Sequence, residues 1–148
     1  MARMREPDLG RLLLAAHRSL VAEFLTDIEE RGYADARAGH AVLALAIDRR
    51  SGTRLTDLAE RARMTKQGMM LLVDDLEARG YVRRVPDPDD GRAKVVRLTA
   101  RGRRYAAETR RAVQALEGRV RRGLGLRRYE QLRSSLEWLA GDEEEEME

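Results

Sequence analysis

The run VPDPDDGRAKVVRLT, Val85 to Thr99, interrupts a chain otherwise patterned for helices. Val82 to Val85 and Lys94 to Leu98 are short β-prone runs, and between them stand prolines, aspartates and a glycine, the residues of tight turns. Together they predict a β-hairpin. A calcium-binding loop is the competing reading, and it fails on spacing. Counted from Asp87, Asp89 falls at position 3, but Asp90 stands at 4, Gly91 at 5, and position 12 is Leu98, which cannot ligate. The aspartates are therefore expected at an exposed hairpin tip among basic residues, not in a cage.

Helical periodicity surrounds the hairpin. Leu9, Leu12, Leu13, Ala16, Leu20, Phe24 and Ile28 recur at three- and four-residue steps and predict one long first helix, stopped near Gly32. Residues 34–50 carry the denser apolar set Val42, Leu43, Leu45, Ala46 and Ile47, a shorter and more buried second helix that ends at the turn-prone Ser51-Gly52. Thr56 is expected to cap a two-turn third helix with acids in its first turn. Thr65 is expected to cap a fourth that runs to about Arg79, with Met69, Leu72, Val73 and Leu76 inward, Met64 and Met69 as a hydrophobic staple and Gly80 as its stop. After Thr99 a long helix resumes through Tyr105, Thr109, Ala112, Val113, Leu116, Val120 and Leu124. Tyr129, Leu132, Leu136 and Leu139 mark a last one.

Two short helices joined by a tight turn and followed by a basic hairpin make a winged helix-turn-helix. In that motif the second short helix enters the major groove by its N-terminal end. The fold class is thus mainly α with a small β-hairpin wing, the lobe (about 36–100) flanked by long N- and C-terminal helices (about 5–34 and 101–140) in a single chain over 1–141.

Charge supports a polyanion partner. Residues 142–148, DEEEEME, hold six acids and no base, so residues 1–141 carry 29 basic side chains against 20 acidic ones, a net of +9. From Arg79 to Arg104 there are nine basic residues and three acids. The acidic tail is read as a disordered, solvated terminus. The chain has 148 residues and no cysteine, which excludes disulfides, thiolate zinc sites and thiol-based sensing. Two histidines without cysteine argue against a transition-metal site, and no metal ligand set is expected. The first apolar run, Leu12 to Ala16, is too short for a secretory signal, and nothing approaches a membrane span; the expected location is the cytoplasm.

Two stretches, LTDLAERARMTKQGMMLLVDDLEARGYVRR (Leu55 to Arg84) and DPDDGRAKVVRLTARG (Asp87 to Gly102), resemble the MarR family of transcriptional regulators in order, spacing and length. The resemblance implies that Thr65, Lys66, Gln67, Gly68, Met70 and Leu71 form the groove-facing part of a recognition helix. Lys66 and Gln67 are the chemically able readers, lysine toward guanine or phosphate and glutamine toward adenine. Met70 and Leu71 are candidates either for thymine methyl contacts or for partial burial. In the wing, Asp90 would fix the direction of Arg92 by accepting from loop amides or from its guanidinium, and Arg92 would enter the minor groove. Arg84, Lys94 and Arg97, with Arg83, alternate with apolar residues along the hairpin and are candidates for phosphate contacts, though alternate positions face opposite sides. Leu71 and Asp75 stand where basic residues are common in relatives, and Gly91 replaces an arginine, so the DNA face is less basic than usual.

The resemblance also assigns the terminal helices to homodimerisation, which two half-sites require in any case. It further implies release of DNA by a small aromatic or anionic effector, for which His17 and His40 are the pocket candidates. No cofactor is expected. The leading function is a dimeric, sequence-specific regulator of transcription, usually a repressor, acting on a pseudo-palindromic operator in double-stranded DNA. A sequence-tolerant architectural DNA-binding protein and a winged-helix adaptor for proteins are the alternatives. Neither a nucleophile elbow nor a phosphate-cradling glycine loop is present, so an enzyme is not expected.

Overall fold

The structure is a computed structural model and describes residues 7–141. The acidic tail and residues 5–6 of the first expected helix lie outside the described residues. Six helices and three short strands follow in the order α1 (Leu9–Glu30), α2 (Ala38–Ala46), β1 (Thr53–Arg54), α3 (Leu55–Arg61), α4 (Lys66–Ala78), β2 (Val82–Pro86), β3 (Lys94–Leu98), α5 (Ala100–Leu124) and α6 (Leu126–Ala140). The chain is mainly helical with one small antiparallel sheet, the expected winged helix-turn-helix class. It divides within α5, after Ala112, into two compact units. No described helix is long and apolar enough to cross a membrane.

Asp8 starts α1 by accepting the Arg11 amide at 2.9 Å. The apolar stripe buries only its last turns, Phe24 and Ile28, while Leu9, Leu12, Leu13 and Leu20 stay exposed. In α2, Leu43 and Ala44 are buried, but Val42 and Leu45 are not, because the helix presents only one side to the lobe. Thr65 caps α4 as expected: its hydroxyl accepts the Gly68 amide at 3.1 Å. Met69, Val73 and Leu76 are fully buried and Leu72 is half-buried. Each full burial contributes about 2 kcal/mol.

Three features of the helix-turn-helix depart from expectation. Thr56 does not cap α3; Arg54 occupies the cap position and makes no side-chain capping bond, because the chain enters the helix directly from β1. That two-residue strand was not expected at all. It pairs Thr53 with Val96 and Arg54 with Val95, giving the sheet order β1-β3-β2. Gly52 makes this approach feasible, since a Cβ there would lie 2.8 Å from the Val96 carbonyl oxygen and 2.6 Å from Arg97 Cγ. Finally, the turn between α3 and α4 puts Arg63 in the left-handed region at φ 50°, a conformation more often given to glycine. In the hairpin itself β3 has the expected limits and β2 runs one residue beyond the expected Val85, to Pro86, with Val82 opposite Leu98 and Pro86 opposite Lys94.

Between α2 and β1 the carboxylate of Asp48 accepts the amides of Arg50 (2.8 Å) and Ser51 (2.7 Å) and the Ser51 hydroxyl (2.8 Å). The Ser51 amide, the Ser51 hydroxyl and then the Arg50 amide draw its pKa down to about 2. A depressed carboxylate pKa stabilises the fold above the unfolded value near 4 and loses that contribution as pH falls toward 2. Asp48→Asn is therefore expected to melt below the parent at pH 7, with the two curves converging by pH 2. Parallel curves at both pH values would refute the assignment.

Candidate nucleic-acid interface

The N-terminal half of α4 holds the sequence-predicted readers. Helical spacing places Gln67, Met70, Leu71 and Asp74 on one outward strip with Lys66 at its edge, and all five are exposed. Gly68 differs. It is half-buried, its amide is held by the Thr65 cap, and a Cβ there would crowd the Thr65 hydroxyl at 3.1 Å. Thr65 and Gly68 thus build the helix start, while Lys66, Gln67, Met70 and Leu71 present side chains to solvent.

The wing is anchored from below by a residue expected at its exposed tip. Asp87 is 6% exposed; one carboxylate oxygen accepts the Asp89 amide at 2.9 Å and the other Nε of Arg54 at 2.6 Å. The Asp89 amide, then the Arg54 guanidinium, hold its pKa below the usual carboxylate range. The expectation that all three aspartates ring an exposed tip is thereby corrected: Asp87 closes the loop base, because its neighbours supply the donors a buried carboxylate requires. Asp90 accepts the backbone amide of Arg92 at 3.1 Å, which sets the loop's course and leaves the Arg92 side chain exposed.

The cations along the hairpin separate into two sets. Lys94 and Arg92 are exposed. Arg84 is half-buried, with its guanidinium bound to Asp74 and Glu77 of α4, and its amide donates to Glu77 at 2.9 Å. Arg97 donates through Nε to the Ser51 carbonyl at 3.1 Å. Arg84 and Arg97 accordingly fasten the wing to the lobe. Arg54, Lys66, Arg84 and Lys94 surround a groove between the start of α4 and the wing, floored by Leu55 and Val96. Arg54 is paired with Asp87 and Arg84 with Asp74 and Glu77, so Lys66 and Lys94 supply the groove's attraction for a polyanion.

Asp75, one turn after Leu71 at the flank of the outward strip, is half-buried and its charge is engaged within the chain. Its carboxylate meets His40 Nε2 at 2.7 Å and Arg79 Nε at 2.9 Å. Arg79, then His40, lower its pKa. His40 is fully buried, and its Nδ1 accepts the Arg37 amide at 3.1 Å. That ring nitrogen is therefore unprotonated, and the proton sits on Nε2, donating to Asp75. Both nitrogens of His40 are occupied within the chain, whereas His17 is exposed on α1.

Sequence reasoning missed the continuation of this network. Arg79 donates to the Asp35 carbonyl at 3.0 Å, the Tyr81 hydroxyl donates to the Asp35 carboxylate at 2.7 Å, and Arg101 reaches Asp35 at 3.2 Å while stacking on the Tyr81 ring at 4.4 Å. Tyr33, Tyr81 and Tyr105 cluster with ring centroids 4.9–6.3 Å apart. Burial pushes the Tyr105 hydroxyl up to about 12. The density of aromatic and charged residues at 79–105 was the only available signal, and it does not reveal pairing.

A MarR family model matches residues 36–93, the span from before α2 to the end of the wing loop. Among solved structures, CouR from Rhodococcus jostii RHA1 bound to p-coumaroyl-CoA is 29% identical, with a TM-score of 0.72 over 90% of this chain and 92% of that one. A structure of the transcriptional repressor CouR on a 23-mer DNA duplex is 27% identical, with a TM-score of 0.76 over 95% and 99%. A MarR family protein of Mycobacterium tuberculosis in complex with salicylic acid is also 27% identical, with a TM-score of 0.65 over 93% and 99%. No curated protein matches the sequence. The family model lies on the helix-turn-helix and wing, and the fold is shared over nine-tenths of the length with the regulators CouR and the Mycobacterium tuberculosis MarR family protein, so the chain is similar to MarR-family regulators in both its motif and its architecture.

Proposed function

We propose that this chain is a ligand-responsive, DNA-binding regulator of transcription that represses as a homodimer on a pseudo-palindromic operator. The observation that carries the reading is the exposed α4 start, Lys66, Gln67, Met70 and Leu71, set beside a wing whose Arg92 and Lys94 are also exposed. One helix and one wing reach a single half-site, and a specific site requires two about one helical turn apart. The lobe at about 36–100 supplies the DNA contacts, and the terminal helices supply the dimer. Family members of this kind are regulators, not enzymes.

Within the wing, Asp90 fixes the loop and Arg92 enters the minor groove, where the narrow floor of A·T-rich DNA attracts a guanidinium. Lys66 and Lys94 meet phosphates from the groove's two sides, and Arg84 and Arg97 hold the wing in register while adding to the local potential. The effector is a small aromatic or anionic molecule, a reading supported by the salicylic acid and p-coumaroyl-CoA bound by the similar proteins. His40 serves as scaffold between α2 and α4, which leaves His17 as the histidine open to a ligand.

The testing experiment is selection from random duplex DNA by the purified protein, with excess competitor present. Enrichment of a pseudo-palindrome supports the proposal, retention without a motif favours an architectural protein, and no retention overturns DNA binding. On the selected site, Arg92→Ala is expected to lower affinity about tenfold where the flanks are A·T-rich and less elsewhere. Equal affinity to the parent across flanks and a salt series removes Arg92 from the interface.

A further inference from the structure

The outward strip of α4 is unusual for a helix expected to meet a polyanion. Lys66 is its one cation, Asp74 is held by Arg84, and the centre is apolar: Met70 is 44% exposed and Leu71 64%. The core of the lobe does not draw on them, since α4 meets it through Met69, Val73 and Leu76. At the N-terminal edge of this strip Lys66 opens onto the groove that Lys94 also lines, and Arg92 is exposed at the wing tip. A partner for such a surface must be anionic at its edges and present apolar groups in a recess that admits a helix. Duplex DNA has that form: phosphates line the major groove, and the apolar group on its floor is the thymine C5-methyl.

We infer that Met70 and Leu71 determine operator specificity by packing on thymine C5-methyl groups. Gln67 lies one turn before them on the same strip, three and four residues away, the spacing at which helix side chains are neighbours. Its amide can bond bidentately to adenine N6 and N7. The half-site core is therefore read as A·T pairs, adenine by Gln67 and thymine by the two apolar side chains. Leu71, the more exposed, makes the larger contact. This inference rests on the DNA-binding reading above and adds the group that the recognition helix selects.

Deoxyuridine in place of thymine keeps base pairing and the O4 acceptor and removes only the methyl group. In the selected duplex, each core thymine is replaced singly by deoxyuridine, and affinity is measured by fluorescence anisotropy for the full-length parent, Leu71→Ala and Met70→Ala. The expected result is a loss of about fourfold at one or two thymines per half-site in the parent, the size of one buried methyl group. At a given thymine that penalty should disappear in one of the two variants. Both side chains are exposed, so both variants should melt with the parent. Equal parental affinity for thymine and deoxyuridine at every position overturns the inference and leaves DNA binding intact, as does a penalty that survives in both variants. Failure of the parent to retain any duplex overturns both.

Discussion

Gly102→Ala is expected to destabilise the protein by about 3 kcal/mol or more and to lower Tm by about 10 °C. Gly102 is in the first turn of α5, and a Cβ at its position would lie 1.9 Å from the Tyr81 carbonyl oxygen and 2.9 Å from the carbonyl carbon. The obstacle is backbone, so no rotamer change relieves it. That same carbonyl accepts the Thr99 amide at 3.0 Å, while the Thr99 hydroxyl donates to the Gly80 carbonyl at 2.6 Å and accepts the Gly102 amide at 3.0 Å. Moving α5 away to admit a methyl group breaks this junction between β2, β3 and the helix, beside the buried Tyr81 and Tyr105. Gly91→Ala is the control. A Cβ at Gly91 meets nothing within 4 Å, and its Tm should stay within a degree or two of the parent's. A thermal melt of Gly102→Ala that overlays the parent's would refute the close approach.

Gly102 also marks where sequence reasoning ends. The motif DPDDGRAKVVRLTARG contains it, yet the motif does not say why a glycine closes the run; the Tyr81 carbonyl does, and that contact spans 21 residues. Features set by neighbours along the chain were legible. The hairpin follows from alternating β-branched residues and its turn chemistry, the α4 start from the Thr65 cap, and α1 from an unbroken stripe. Features set across the chain were not. β1 is only two residues long and exists because Val95 and Val96 offer it an edge. Nothing local distinguishes Arg84, bound to Asp74 and Glu77, from Arg92, which is exposed, since both read as basic hairpin residues. His40 and Asp75, 35 residues apart, likewise became scaffold only once their 2.7 Å contact was visible. The capped start of α4 and its exposed strip of Lys66, Gln67, Met70 and Leu71 were legible because capping and helical periodicity are both local.

If the chain acts as the homodimer proposed above, the double substitution Leu132→Asp with Leu136→Asp is expected to convert it into a monomer and to weaken binding to the full operator by about a hundredfold or more. Both residues are on α6, which has no buried residue, and they continue a stripe from Tyr129 to Leu139 at three- and four-residue steps. Leu126, Leu132, Leu136, Trp138 and Leu139 are all exposed, an apolar face that the second copy of the proposed homodimer would cover. Carboxylates in the stripe would be desolvated on association and prevent it. Once one half-site is occupied, a dimer presents its second lobe at a high effective concentration, and a monomer forfeits that advantage, commonly a factor of 10² to 10⁴. Because the substituted residues lie outside the lobe, affinity for an isolated half-site should equal that of a single parental lobe. The slope of log affinity against log salt on the full site should halve, since half as many phosphates are neutralised. Sedimentation velocity beside binding to full and half sites separates the outcomes. A variant that remains dimeric removes α6 from the interface, while one that is monomeric but loses half-site binding has a damaged lobe, and the assignment of its terminal helices to dimerisation alone would fall.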